Sequence, residues 1–190
     1  MLKHLLRPLS YLSIAHKEKW VIDWLCPAIL SILSVIIIYS LKSFGVVSIY
    51  SGDGLVSKVV GLVQNLPGFY IAALAAIATF NKVDIDQTMP SPAPKINTVI
   101  RGKTVKIELT RRRFLCSMFA FLASESILIV VFAFFSQAAF LPIKNILPHD
   151  LYTATSIAFL LIFFMMFWQM IVATFWGLFY LGDRLHQPND

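Results

Sequence analysis

Residues 111–136 read RRRFLCSMFAFLASESILIVVFAFFS: three consecutive arginines, then a long apolar run whose only polar members are Ser117, Ser124, Glu125, Ser126 and the final Ser136. About 20 apolar residues suffice to cross roughly 30 Å of hydrocarbon, so this run predicts a transmembrane helix over about 114–136. The arginines mark the end that stays in water, and Thr110 just before them is placed to cap the helix. The rest of the chain repeats the pattern. Of its 190 residues, 58% are hydrophobic and 14% charged, with a mean hydropathy of +0.75. A soluble domain carries about 25% charged residues, which excludes an ordinary water-soluble fold.

Three further spans follow from the same rule. The first covers about 21–41, with Asp23 as its only charge. The second covers about 57–81, but Gln64, Asn65, Pro67 and Gly68 interrupt it, and the apolar piece from Gly68 to Phe80 is too short to cross alone. A kink is expected at Pro67 and Gly68. The fourth covers about 154–182 and ends in an aromatic belt of Trp176, Phe179 and Tyr180.

The segment 1–19 has leucines at positions 2, 5, 6, 9 and 12, and its apolar run is broken by Arg7 and Pro8. It reads as a retained amphipathic segment in the headgroup region rather than a cleaved signal. Cys26 and Cys116 form no CxxC pair and are expected to be buried free thiols.

Thirteen of the sixteen Lys and Arg residues lie in the N-terminal segment, the 82–113 loop or the tail, against Lys42, Lys58 and Lys144 in the opposite loops. The positive-inside rule then places both termini and the large loop in the cytoplasm. The expected fold is an all-α membrane domain, a four-transmembrane-helix bundle spanning 1–190, with a small cytoplasmic β-hairpin between helices 2 and 3.

That hairpin is read from INTVIRGKTVKIEL at 96–109. Val105, Ile107 and Leu109 alternate with Lys106 and Glu108, and the turn falls at Gly102. A stiff spacer, MPSPAP at 89–94, precedes it. A two-stranded hairpin is marginal alone, so it is expected to pair with another copy or a partner. Arg101, Gly102, Lys103, Lys106, Arg111, Arg112 and Arg113 form the expected docking surface, where the basic residues also suit anionic lipid headgroups. Without interleaved aromatic residues, no direct nucleic-acid binding is expected.

Glu125 sits near the bilayer midplane, where an acidic residue costs roughly 2.5–3.5 kcal/mol and requires a partner. Ser34, Gln64, Asn65 and Gln169 fall at similar depth, so Ser34, Asn65, Glu125 and Gln169 are expected to form an intramembrane polar layer. Such a layer either locks the bundle through hydrogen bonds from a protonated Glu125 or makes Glu125 a proton or ion site. Small residues on the second, third and fourth spans offer packing faces within or between subunits. Enzyme motifs, clustered histidines and inverted repeats are lacking, so neither catalysis nor a cofactor or metal is expected.

The N-terminal LKHLLRPLSYLSIAHKEKW, the four spans and the loop SPAPKINTVIRGKTVKIELTRRRF together resemble the membrane subunit of the bacterial Kiwa anti-phage defence system. The resemblance covers the whole chain at the level of architecture. It implies a homo-oligomeric, tetrameric, inner-membrane sensor that recruits a cytosolic DNA-binding partner when phage infect. Two other classes fit the spans: a channel or small proton-coupled transporter using Glu125, and an immunity protein against a pore-forming toxin.

Overall fold

The computed structural model describes residues 7–15, 19–79, 83–89, 93–100 and 103–182. Among them, four helical stretches are long and apolar enough to cross a membrane: Val21–Ser43, Leu55–Thr79, Arg111–Phe140 and His149–Gly182. The first begins as a π-helical turn, Val21–Leu25, and continues as α1, Cys26–Ser43. Gly45 ends it: at φ 72° it takes the left-handed conformation open to glycine, and Gly45 and Val46 donate back to the carbonyls of Lys42 and Leu41.

The second span is two helices, α2 (Leu55–Val63) and α3 (Leu66–Thr79). The break falls at Gln64 and Asn65, ahead of the expected kink at Pro67 and Gly68. A proline ring clashes with the carbonyl four residues earlier, here that of Val63, the last residue of α2. Pro67 itself sits in the first turn of α3, where a missing N–H costs nothing.

The remaining helices run longer than their apolar cores: α4 is Arg111–Ile143 and α5 is His149–Gly182. Thr110 caps α4 as expected, accepting from the Arg113 amide at 3.3 Å. The helices pack with alternating direction. Asp23 meets Gln169, Ser31 meets Leu161, and Tyr39 meets Thr153, which sets α1 antiparallel to α5. Phe114 lies against Trp176 and Tyr180, and Phe132 against Phe159, which sets α4 antiparallel to α5. At Gly177 α5 comes close to α4, and an added Cβ would run into Met118 Cε. Such small-residue contacts drive helix association in lipid, where apolar burial contributes little.

The N-terminal segment departs from the amphipathic helix. Arg7–Ser13 forms a 3-10 turn against α4, and its buried residue is Tyr11 rather than a leucine. The Tyr11 ring stacks on Phe121 at 5.1 Å and tilts against Phe114 at 6.1 Å. Leu2, Leu5, Leu6 and the tail Arg184 lie outside the described residues. Cys26 and Cys116 are free and half-buried, less enclosed than expected.

The hairpin forms with β1 Lys95–Ile100 antiparallel to β2 Lys103–Glu108, from Lys95 opposite Glu108 to Ile100 opposite Lys103. The expected turn residues Arg101 and Gly102, and Pro90 and Pro92 of the spacer, lie outside the described residues. The hairpin does not stand alone. Ala15 exchanges both backbone hydrogen bonds with Lys95, at 3.1 and 3.3 Å, and Ile96 and Leu109 are buried.

Candidate functional site

The polar centre of the bundle is assembled from five segments. Lys19, just ahead of the first span, and Asp23, one turn later, form an ion pair with only 3% and 1% of their surfaces exposed. The Tyr11 hydroxyl donates to the other Asp23 carboxylate oxygen at 3.3 Å, and Lys19 Nζ lies 4.0 Å from the Tyr11 ring centroid. From α5, the Gln169 amide donates to the Asp23 backbone carbonyl at 2.8 Å. That bond reaches a carbonyl within the π-helical turn. From α4 comes Glu125, 3% exposed, in electrostatic contact with Asp23 and Tyr11. Tyr70 of α3 lies within electrostatic range of Glu125, and its hydroxyl bonds Thr174 at 2.6 Å.

Of the expected layer, Glu125 and Gln169 therefore reach one place, and Ser34 and Asn65 do not join them. Ser34 donates to Leu30 and accepts from the Trp168 indole at 2.9 Å, about three turns farther along α1 than Asp23. Asn65 shares the level of Glu125, since Tyr70 packs on Phe119 and Arg112 reaches Ile77, but it is exposed on the outside of the α2–α3 break with Gln64. Side chains at a helix break follow the local backbone, which spacing alone does not reveal.

The residues that the sequence reading missed are Tyr11, Lys19 and Asp23. By sequence, Lys19 reads as one of the basic residues that set topology and Asp23 as the only charge of the first span. Their i,i+4 spacing at the mouth of an apolar run was the available signal.

Glu125 is singular within this group. Its Oε2 is buried and has no hydrogen-bond partner among the described residues. Among the described residues of this group there are two carboxyls and one ammonium, and the ammonium is committed to Asp23. Outside the spans, burial lowers the affinity of Lys19 for its proton and raises that of the Tyr11 hydroxyl, since both charged forms lose water. Among the described residues no His, Cys, Asp and Glu cluster could hold a metal ion.

The expected docking residues divide in a similar way. Arg112 is bound into its own fold, with two hydrogen bonds to Asp86 at 2.7 and 2.8 Å and two of 3.0 Å to the carbonyls of Ile77 and Ala78. It thereby satisfies the end of α3, whose last carbonyls have no intrahelical partner. Arg111 is buried, and its amide donates to Gln87. Arg113 and Lys106 are exposed. Arg101 lies outside the described residues, and Lys103 enters only through its backbone pairing with Ile100.

The free edge of the hairpin is the other exposed feature. Ala15 takes both backbone groups of Lys95, so Lys95 and Glu108 oppose each other without mutual hydrogen bonds. Antiparallel pairs alternate, so Asn97 and Lys106 do the same, and the Lys106 N–H points away from β1. Among the described residues no strand pairs with that edge of β2 over Lys103–Ile107, and Val105 beside it is exposed.

No family model, curated protein or solved structure matches this chain.

Proposed function

We propose that the chain is a homo-oligomeric subunit of the bacterial inner membrane, with both termini and the hairpin in the cytoplasm, that recruits a cytosolic effector in anti-phage defence. The thirteen-to-three distribution of Lys and Arg supports the orientation. The Kiwa resemblance supports the defence setting and a tetramer. The observation that carries the recruiting role is the open edge of β2, presented on a hairpin tied to the bundle through Ala15. Open strand edges are usually blunted, and a basic one at the membrane suits an extended acidic segment that adds as a further strand. Arg113 and Lys106 supply the charge, and anionic headgroups compete for it.

The test is a mild-detergent pull-down with sizing. Lys106→Pro removes the outward N–H while leaving the pairing with β1, and it should abolish capture of the effector without changing subunit number. Charge reversal at Arg101, Lys103 and Lys106 should do the same. Undiminished capture by both variants would overturn the docking role of the hairpin.

A further inference from the structure

We propose that Glu125, with the Lys19–Asp23 pair and Tyr11, forms a binding site for a single proton, and that its occupancy decides whether the N-terminal segment and the hairpin stay docked on the bundle. The argument rests on charge balance inside a closed site. Lys19 neutralises Asp23, with which it is in direct contact. Glu125 adds a second carboxyl, 3% exposed, and one of its oxygens lacks a hydrogen-bond partner among the described residues. An ionised carboxylate there would leave one uncompensated negative charge out of water, which the interior tolerates only with a cation.

Among the described residues, the groups facing Glu125 from each packed element supply none. The N-terminal segment presents the Tyr11 hydroxyl, which already donates to Asp23. The start of the first span presents Asp23, of like charge, and α3 presents the Tyr70 hydroxyl, which is bonded to Thr174. From α5 comes the uncharged Gln169, bonded to the Asp23 carbonyl. Among the described residues, the charges of the closed site therefore balance only with a proton on Glu125. Loss of that proton pits Glu125 against Asp23, and the relief is to open the site to water by withdrawing the segment that carries Tyr11.

That segment is also the one that holds the hairpin. Ala15, four residues from Tyr11, makes the two backbone bonds to Lys95 that join β1 to the bundle. Proton release on Glu125 thus reaches the cytoplasmic strand edge through one short stretch of chain. The coupling does not depend on what the hairpin recruits.

The experiment is hydrogen–deuterium exchange on the full chain in lipid nanodiscs, corrected for intrinsic rates, from mildly acidic to mildly alkaline pH. In the unsubstituted protein, protection at 11–15 and 95–108 should fall by at least tenfold through a one-proton transition, while α5 stays protected. Glu125→Gln keeps the shape and removes the titration, so both segments should remain protected throughout. An infrared difference spectrum of the unsubstituted protein should lose a protonated-carboxyl band over the same pH interval, which keeps the test intact if the variant fails to fold. A pH profile shared by both proteins, or protection that is flat while the carboxyl band titrates, would overturn the proposal. Undiminished effector capture by the hairpin variants, with these transitions intact, would count against the recruiting role alone.

Discussion

Arg112 and Asp86 face each other through two hydrogen bonds of 2.7 and 2.8 Å, and the same guanidinium spans the carbonyls of Ile77 and Ala78. One side chain thus joins the start of α4, the end of α3 and the connection between α3 and the hairpin. A planar fork can serve a carboxylate and two carbonyls at once, which an ammonium cannot.

Arg112→Lys should therefore loosen the 83–89 segment more than Asp86→Asn, since the asparagine leaves both carbonyl bonds in place. Local hydrogen exchange at 83–89 reports the order, and equal effects would show that the carbonyl bonds contribute nothing. The Asp86 carboxyl is held below its ordinary value by the Arg112 hydrogen bonds. Its folded value being depressed, this contribution is complete above the ordinary Asp value of 3.8 and is lost as pH falls below it. Protection at 83–89 should stay level near neutrality and drop only in acid.

Lys19→Met strands a buried Asp23 carboxylate and should cost about 3–5 kcal/mol. Pairing it with Asp23→Leu removes both charges and should recover most of that loss, because the pair stabilises little beyond cancelling its own burial. Reversible unfolding in mixed micelles measures the cycle; additive losses would mean that the two side chains do not interact.

Two glycines with crowded surroundings should behave differently. At Gly177 an added Cβ meets the mobile end of Met118, so Gly177→Ala should cost about 1 kcal/mol, relieved by Met118→Ala. At Gly54 it would lie 2.7 Å from the Ile49 backbone oxygen, which cannot swing aside. Gly54→Ala should therefore cost about 2–3 kcal/mol. Thermal unfolding in detergent ranks the two, and the reverse order would refute the packing described.

Tyr70→Phe deletes the 2.6 Å bond to Thr174 between α3 and α5. Interhelical hydrogen bonds in membranes average about 0.6 kcal/mol and reach about 1.7, so a modest loss is expected. A loss well above that range would mean that the hydroxyl also stabilises Glu125.

The four spans, the hairpin and the cap at Thr110 are legible in the sequence, because each rests on properties local to a window: apolar length, two-residue alternation and a hydroxyl before a helix. It also singled out Glu125 by its expense in hydrocarbon. What it left open was the company Glu125 keeps. Depth along a helix can be counted from residue number, and on that count Asn65 and Gln169 are equivalent, yet Asn65 is exposed and Gln169 is buried. Only packing decides which way a side chain at a given depth points. The approach of Tyr11, Lys19 and Asp23 to Glu125 depends on a short N-terminal turn folding back against α4, and the role of Arg112 depends on where α3 ends. Both are contacts between residues distant in the chain, set by the shape of the whole bundle.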